Sequence, residues 1–350
     1  MTTTTTPLAS LSLSCRATLN VHSLNNEGGE GNQIQTRMVD IVDAAGVRHS
    51  VNAISGDMMR HMLAENLLRV AVQRGLPLSE GARRLDANRI NADPAAMKAI
   101  GEKNSDPEAL DYLLNHCAIT DMMGTLITKS KRSLPRPSVV EFGWVVGMPA
   151  QVHSANYFHV KYSADRGSDK RRQDADESEA TGSNRGQAIF HRPASSGVYA
   201  LVCHLELARI GYNDIRQGYA VDDEERTTRA HALLDAVLYT LLEMNGAMRA
   251  AQLPHLTALS GVVATSSGIV PAPLISPLAS SGHDHKDDGQ DHDHDYRGQV
   301  QTLVGLLDGQ NGSTLAARPF EDITGFATIM QETTRNLVVA DLTPRAASAR

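Results

Sequence analysis

The sequence predicts an α+β fold, and three observations carry that prediction. Apolar and polar residues alternate over residues 11–22, a pattern typical of a strand. Residues 55–74 and 222–246 instead carry apolar residues at helical spacing. Further strand-like segments lie between and after these two helices. A chain of 350 residues can bury a large core, organised as one elaborated domain or as two.

The first predicted strand has one apolar face and one polar face. Its apolar positions are Leu11, Leu13, Cys15, Ala17, Leu19 and Val21. Alternation of this kind places one face on a core and leaves the other polar. The polar face carries Arg16, Asn20 and His22, whose side chains are all capable of contacting a ligand.

After this strand the chain returns to the sheet and enters a helix. Residues 33–42 and 47–54 have the pattern of a hairpin. The helix spans residues 55–74, and Gly75 and Pro77 provide the usual stop signals. Its core stripe consists of Met59, Met62, Leu63, Asn66, Leu67, Val70 and Ala71.

The remaining segments differ in character along the chain. A helix-start signature begins at Ser105, and residues 79–128 are predicted to form a helical insertion outside the sheet. Residues 163–186 are nearly all charged, small or glycine, which predicts a mobile projection. The other predicted elements are strands at 139–147, 151–162, 197–207 and 256–264, a helix at 222–246, a loop rich in Pro, Ser, His and Asp, and a short C-terminal helix.

Without its insertions, the chain has the order strand, helix, strand, strand, helix, strand. This is the ferredoxin-like order, which RNA-recognition folds also use. Because many unrelated proteins share it, the order specifies no function by itself.

The composition is that of an ordinary protein of the reducing cytoplasm. Hydrophobic residues make up 41% of the chain, and no apolar run approaches the ~20 residues that a membrane helix needs. Residues 1–7 lack the basic and apolar parts of a secretory signal and are expected to be a disordered tail. Cys15, Cys117 and Cys203 are widely spaced, which predicts buried thiols rather than disulfides or a zinc site.

The net charge of −7 counts against a simple nucleic-acid binder, but the charge is unevenly distributed. Six Asp between His283 and Arg297 face two basic residues, so this segment carries −4 and the rest of the chain −3. Lys129, Lys131, Arg132 and Arg136 follow one another without an acid between them. The shape of the local field decides binding more than the total charge does. The same cluster is equally compatible with a solvated surface.

The start of the helix at Ser55 has the features of a phosphate site. A polar turn leads directly into the helix, with Ser55 placed as its cap, Gly56 after it, and Arg60 and His61 in the first two turns. Free N–H groups at a helix start, together with a guanidinium, suit a phosphate. An alternative remains open, in which these residues only cap the helix.

A second polar loop precedes this helix. Its glycines allow close approach of the main chain to RNA, and its amides are potential donors to phosphates or 2′-hydroxyls. The residues concerned are Asn25, Asn26, Gly31, Asn32 and Gln33, with Arg37 at the exit of the loop. The alternative is a flexible hairpin connector.

Three segments in the right order carry a resemblance to a known family. They are the N-terminal strand with residues 25–37, the stretch Ile54–His61, and Ser195-Ser196-Gly197-Val198-Tyr199-Ala200. With these segments the chain resembles the DevR branch of the CRISPR-associated Cas-seven superfamily, the repeated backbone subunits of type I, Cascade-type effector complexes. The similarity extends from about residue 8 to residue 265.

The resemblance implies a palm with a ferredoxin-like (RRM-like) core, helical fingers and an extended thumb formed by a β-hairpin or loop. The implied palm segments are 8–78, 129–147 and 195–265, with further C-terminal palm elements at 301–342. The fingers are 79–128, the thumb is 148–194, the Pro-, Ser-, His- and Asp-rich loop is 266–300, and 343–350 is a tail.

The resemblance also implies partners and a function. Subunits of this family stack head to tail along a guide RNA (crRNA), and each thumb displaces bases at intervals. The implied partners are the crRNA, further copies of the chain, the guide-processing, large and small Cascade subunits, and target DNA paired to the guide. The expected RNA contacts are Asn20, His22, the two polar segments described above, Lys129, Lys131, Arg132, His153, His159, Lys161, Arg166 and Arg192.

No catalytic motif, cofactor or metal site is predicted. The chain has no Gly-x-Ser-x-Gly, no His-Glu-x-x-His and no phosphate-loop lysine motif. The first palm loop offers Glu27 and Glu30 but no aspartate, the residue with which some relatives cut RNA. The His- and Asp-rich segment at 283–295 is interpreted as a solvated acidic loop. Two rival hypotheses remain open: a metal-dependent ribonuclease, and a DNA-binding transcriptional regulator, although no helix-turn-helix is recognisable.

Overall fold

The structure is a computed structural model that describes residues 6–30, 33–43, 45–128, 132–162, 187–279 and 295–342. It has a mixed α/β architecture built on a large sheet. The helices are α1 (Gly56–Gln73), α2 (Glu80–Arg83), α3 (Pro94–Gly101), α4 (Asp106–His116), α5 (Ala118–Met123), α6 (Asp223–Leu242), α7 (Tyr296–Leu307) and α8 (Ile323–Asn336).

The strands vary from two to nineteen residues in length. They are β1 (Thr6–Leu8), β2 (Ser10–His22), β3 (Asn26–Glu30), β4 (Gln33–Thr36), β5 (Met38–Val42), β6 (Arg48–Ile54), β7 (Thr125–Ile127), β8 (Leu134–Arg136), β9 (Val140–Phe142), β10 (Val145–Tyr162), β11 (Gln187–Leu205), β12 (Tyr212–Asn213), β13 (Gly218–Tyr219), β14 (His255–Ser266), β15 (Leu315–Phe320) and β16 (Leu337–Val339).

The main sheet follows the order β15-β14-β2-β11-β10-β6-β5. Its four central strands, β14, β2, β11 and β10, pair with one another in this order, and each of these pairs is antiparallel. Helices α1 and α6 pack together and lie on one face of the sheet. Leu13 of β2, Leu63 of α1 and Leu234 of α6 belong to a single buried cluster, so this face holds the principal core.

The opposite, polar face of β2 is largely covered, contrary to the expectation that its side chains could contact a ligand. Ser12 and Ser14 are both buried, because residues 270–279 and α7 cover them. The guanidinium of Arg16 lies over the ring of Tyr296 at 5.3 Å and donates to the carbonyl of Pro277. A surface that the alternation predicted to face a ligand is therefore part of the interior.

The helical insertion has a core of its own, which includes Ile90, Leu110 and Ile127. Strand β7, at its end, pairs with β8 in a separate two-stranded sheet, so residues 134–136 pair with the insertion rather than with the main sheet. Helices α2 to α5 otherwise fill residues 80–123, as the helical prediction for 79–128 expected.

A buried ion cluster joins the insertion to α6. The carboxylate of Asp121 in α5 binds Arg136 at 2.6 Å and Arg229 of α6 at 2.7 Å, and none of the three side chains is exposed. The sequence predicts Arg136 in a basic surface cluster, either solvated or in contact with a nucleic acid, and its burial makes both expectations wrong for this residue. Three acceptors fix the guanidinium of Arg136 further: the carbonyls of Asp121, Arg209 and Tyr212.

Two predicted irregular segments contain regular structure. Thr6–Leu8 pairs with β16 as a parallel strand, so residues 6 and 7 are not part of a tail. Strand β14 extends to Ser266 and α7 begins at Tyr296, which shortens the predicted loop at 266–300 from both ends. The predicted projection at 163–186 and most of the His- and Asp-rich loop lie outside the described residues.

Candidate nucleic-acid interface

The start of α1 has the predicted capping geometry. The hydroxyl of Ser55 accepts from the N–H of Met58 at 3.2 Å, and its carbonyl accepts from Met59 at 3.1 Å. The N–H groups of Gly56 and Asp57 belong to the same first turn, which has no intrahelical acceptor for them. This helix start therefore retains donors, and a partial positive charge, for an anion.

Gly56 allows α1 to begin close to the sheet. A Cβ at this position would lie 2.6 Å from the carbonyl oxygen of Phe142, closer than real Cβ atoms approach backbone. The first turn of α1 therefore lies against the segment joining β9 and β10, which carries Trp144.

Arg37 and Trp144 extend the same surface. The guanidinium of Arg37 lies 5.6 Å from the ring centroid of Trp144 and 3.4 Å from the carboxylate of Glu27. Trp144 is 44% exposed and lines a cavity of about 390 Å³ with Ser55, Gly56 and Arg60. We call these five residues the α1 corner: Arg37, Ser55, Gly56, Arg60 and Trp144.

Arg60 and His61 occupy different positions at this helix start. Arg60 is half-buried and donates to the carbonyl of Met123. His61 is exposed and lies 3.3 Å from Glu65, one helical turn further on. Asp57 and Glu141 are exposed and also line the corner cavity, so the site contains two carboxylates that oppose an anion.

Two predicted ligand contacts are wrong because the side chains are buried. His22 is 2% exposed, packs edge-on against Tyr199 at 5.0 Å, and burial lowers its pKa to about 4. Asn25 is 8% exposed, and its Oδ1 accepts from the N–H of Ser55 at 2.7 Å. Asn25 therefore positions the start of α1 instead of presenting its amide to a ligand.

The other polar positions near this loop have varied surroundings. Asn26 accepts from Ser23 at 2.8 Å, and Asn20 donates to Thr257 on the neighbouring strand β14. Gln33 is exposed and pairs with His191 of β11, which places the loop beside the long β10–β11 hairpin. Gly31 and Asn32 lie outside the described residues.

The β10–β11 hairpin gathers aromatic and basic residues on one face. Tyr157 pairs with Arg192 and His159 pairs with Phe190 across the strands. The rings of His159 and Phe190 stack at 5.5 Å, and the guanidinium of Arg192 lies 4.8 Å from the centroid of Phe190. Tyr157 is 51% exposed. We call this set the hairpin face: Tyr157, His159, Phe190 and Arg192.

Two further predicted contacts lie on β10 itself. His153 is exposed and lies four residues before Tyr157, on the same side of the strand. Lys161 continues the strand opposite Ala188. Because alternate residues of a strand share a face, positions 153, 159 and 161 lie on the same side of β10.

The predicted basic cluster after the insertion is not a free patch. Arg132 binds the carboxylate of Asp106 and the carbonyl of Lys103, so its charge is compensated within the insertion. Lys129, Lys131 and Arg166 lie outside the described residues. The expectation of an RNA contact at Arg132 is therefore not supported by its surroundings.

Sequence patterns missed Trp144 and Tyr157 as site residues. Trp144 is the only tryptophan of the chain, and its half-exposed ring lies beside Arg37. The sequence pattern predicts a strand at this position but does not show that the ring is exposed. Tyr157 was predicted only as part of an extended segment. Exposed aromatic rings beside cations offer stacking surfaces for bases.

Neither a membrane helix nor a metal cluster is found in the described ranges. None of their helices combines the length and apolar character needed to cross a bilayer. Likewise, within those ranges no three His, Cys, Asp or Glu side chains are grouped so as to hold a metal ion. The α1 corner and the hairpin face instead combine amide donors, guanidinium groups and exposed rings, a combination that suits a polyanion.

The family of the chain follows from its sequence. A model of the family described as "CRISPR-associated negative auto-regulator DevR/Csa2" matches residues 13–285, which is most of the chain. The chain belongs to the DevR/Csa2 family, and the predicted membership is confirmed.

Curated relatives agree with this membership. The chain is 27% identical over 244 residues to "CRISPR-associated protein Cas7/Csa2 1" of Saccharolobus solfataricus, covering 67% of this chain and 71% of the relative. It is 26% identical over 279 residues to "CRISPR-associated protein Cas7/Cst2/DevR" of Methanocaldococcus jannaschii, covering 75% of this chain and 82% of the relative.

Solved structures give a weaker likeness. A chain of a "CRISPR RNA-guided surveillance complex" aligns over 93% of this chain and 98% of its own length, at a TM-score of 0.49 and 9% identity. A chain of a "CRISPR RNA-guided surveillance complex, pre-nicking" aligns over 85% and 88%, at 0.45 and 12%. At TM-scores below 0.5, neither likeness defines the fold or the function of this chain.

Proposed function

We propose that this protein is a non-enzymatic RNA-binding subunit that oligomerises along a CRISPR guide RNA in a Cascade-type complex. It presents the spacer for pairing with target DNA. The observation that carries the proposal is the α1 corner, where a helix start, Arg60 and Trp144 line one open cavity and the guanidinium of Arg37 lies against the ring of Trp144.

The architecture that we propose assigns a role to each part of the fold. Strands β14, β2, β11 and β10, with α1 and α6, are assigned to a ferredoxin-like palm, and the order of these strands in the sheet supports the assignment. The helical insertion at 79–128 is assigned to the fingers. The distal part of the β10–β11 hairpin, within residues 148–194, is assigned to the thumb, and a shift in strand register between Gly147 and Val152 marks its base.

Recognition at the α1 corner is indifferent to base identity. Backbone amides and guanidinium groups read the charge and shape of a phosphate, not the letters of a sequence. A guide-binding subunit needs this property, because spacers vary while the sugar–phosphate backbone does not. Sequence specificity then comes from base pairing between guide and target.

The hairpin face supplies a second kind of contact. Exposed rings next to a cation stack on any nucleobase, since every base has a π-face. Tyr157 and Arg192 are therefore assigned to bases that the thumb displaces. The partners that follow are the guide RNA, further copies of the chain in a head-to-tail filament, the other Cascade subunits and target DNA, all in the cytoplasm.

Purification of the intact protein from cells that express a CRISPR array tests this proposal. One Trp and eight Tyr give a modest protein absorbance, so bound RNA dominates the 260/280 nm ratio. The proposal predicts a high ratio and sequenced RNA that consists of repeat-derived guides. Random cellular RNA, or tighter sequence-specific binding to duplex DNA, contradicts it. RNA cleavage that depends on divalent ions and on Glu27 or Glu30 favours the ribonuclease instead.

A further inference from the structure

A second cavity lies between α1 and the helical insertion. Its volume is about 280 Å³, and its wall includes Arg60, His61 and Arg89, with the carboxylates of Asp57 and Asp86. We call it the insertion cavity. Arg60 and Asp57 also line the cavity at the α1 corner, so the two cavities share a wall.

Two guanidinium groups converge in the insertion cavity from different parts of the fold. Arg60 lies in the second turn of α1, and Arg89 opens the single 3₁₀ turn of the insertion at Arg89–Ala92. Arg60 donates to the carbonyl of Met123, and Arg89 donates to the carbonyl of Gly124 at 2.6 Å. Each guanidinium has five N–H donors, so these bonds use a small part of its capacity.

Neither of the two arginines forms an ion pair with the carboxylates on this wall, as far as the described residues show. In the part of the chain that the structure describes, Arg60 and Arg89 bind only these carbonyls and form no ion pair, and the Nε of Arg60 is buried without a partner. Burial lowers the pKa of Arg89, and the charge of Arg60 nearby lowers it further. Half-buried like charges of this kind are costly unless a counter-charge joins them.

We propose that Arg60 and Arg89 bind one phosphate group of a single-stranded polynucleotide between them, and that this phosphate fixes the helical insertion against α1. The inference rests on the proposed function, since the strand reaches this cavity from the α1 corner. Guanidinium forks match phosphate oxygens in a bidentate way. The carboxylates of Asp57 and Asp86 on the same wall confine an anion to the arginine side by repulsion.

Arg89 has a binding role that no sequence pattern indicated. It lies in a polar, irregular stretch where nothing distinguishes it from the neighbouring Arg83 and Arg84. Arg83 is exposed on α2 and does not line the insertion cavity, so it provides a matched control for the loss of one charge from the same insertion.

The test compares Arg89→Gln with Arg83→Gln in the full-length protein. Thermal unfolding is followed in inorganic phosphate and in chloride of matched ionic strength, and affinity for a single-stranded RNA is followed against salt. Phosphate should raise the midpoint of the wild type and of Arg83→Gln, but not that of Arg89→Gln. Arg89→Gln should also weaken RNA binding for every sequence and reduce the slope of log K against log salt by about 0.7.

Arg89→Lys is a second variant, in case Arg89→Gln does not fold. It keeps the positive charge but lacks the bidentate guanidinium, so it should retain part of the phosphate stabilisation and part of the RNA affinity. Equal behaviour of Arg89→Gln and Arg83→Gln in both assays overturns the inference. RNA affinity that falls for Arg60→Gln but not for Arg89→Gln overturns it too, while leaving the proposed function intact. Phosphate stabilisation through Arg89 in a protein that binds no RNA overturns the polynucleotide assignment together with that function.

Discussion

Asp57 places a negative charge at the α1 corner, beside the groups that the proposed function assigns to a phosphate. As an acidic residue in the first turn, it also interacts favourably with the dipole of α1. The charge of Asp57 therefore opposes RNA binding but stabilises the helix. A change at Asp57 can distinguish the role of this helix start in binding from its role in folding.

Replacing Asp57 with Asn should tighten RNA binding while weakening the fold slightly. Removing one unit charge from an exposed site near a phosphate is worth roughly 0.5–1 kcal/mol, or about a threefold gain in affinity. Loss of the dipole interaction should lower the free energy of unfolding by about 0.3–1 kcal/mol. Fluorescence anisotropy with labelled RNA and urea denaturation measure the two effects. The control is Glu102→Gln, at the exposed residue that follows α3. An affinity change in Asp57→Asn no larger than the change in Glu102→Gln would refute the assignment.

His22 makes stability depend on pH. Its pKa is about 4 in the folded chain, because burial disfavours the charged ring, and about 6.5 when unfolded. Between these values the unfolded chain binds a proton that the folded chain does not, so stability falls as pH is lowered from 6.5 towards 4. Urea denaturation should show a loss of about 2 kcal/mol between pH 7 and pH 5 from this residue. His22→Gln should reduce the change in the free energy of unfolding between pH 7 and pH 5. The same pH dependence in His22→Gln and in the wild type would contradict this role of His22.

At the scale of elements, the β10–β11 hairpin separates binding from stability. Tyr157 is exposed, so Tyr157→Ala should leave the free energy of unfolding nearly unchanged. If its ring stacks on a base, the same change should weaken RNA binding by about 1–2 kcal/mol. Tyr239→Ala, an exposed tyrosine on α6, is the matched control for RNA affinity. Indistinguishable affinities of the two variants would remove the hairpin face from the interface.

Most regular elements were predictable from the sequence because their signals are local. Period-two alternation predicted β2, and helical spacing predicted α1 and α6 within a few residues of their observed ends. The cap at Ser55 was predictable for the same reason, since a hydroxyl, a glycine and an apolar stripe follow one another in the chain.

Burial of polar residues was not predictable, because it depends on partners far away in the chain. Arg136 had the local pattern of a basic surface cluster, yet Asp121 and the loop carbonyls bury it completely. Ser12 and Ser14 had the pattern of an exposed face, yet a segment more than 250 residues later covers it. The role of Asn25 as a support for Ser55 likewise depends on a contact across thirty residues.

At the scale of the whole molecule, the buried cluster around Asp121 holds the insertion to α6. Asp121→Ala would leave Arg136 and Arg229 buried without their shared counter-charge, and such a loss typically costs 3–5 kcal/mol. Urea denaturation measures it. Glu332→Ala, which removes the exposed ion pair with Arg318, should cost less than 1 kcal/mol. Asp121→Asn tests the charge alone, and a loss no larger than that of Glu332→Ala would mean that the cluster does not stabilise the fold.

The salt dependence of RNA binding in Arg60→Gln tests the central claim most directly. Arg69→Gln, on the same helix but paired with Glu243, serves as the control. Two single-stranded RNAs of unrelated sequence are titrated with each protein over a range of salt concentrations. The account predicts that Arg60→Gln weakens binding equally for both RNAs and lowers the slope of log K against log salt by about 0.7, while Arg69→Gln does neither. An unchanged slope in Arg60→Gln, or a loss confined to one of the two RNAs, would contradict it.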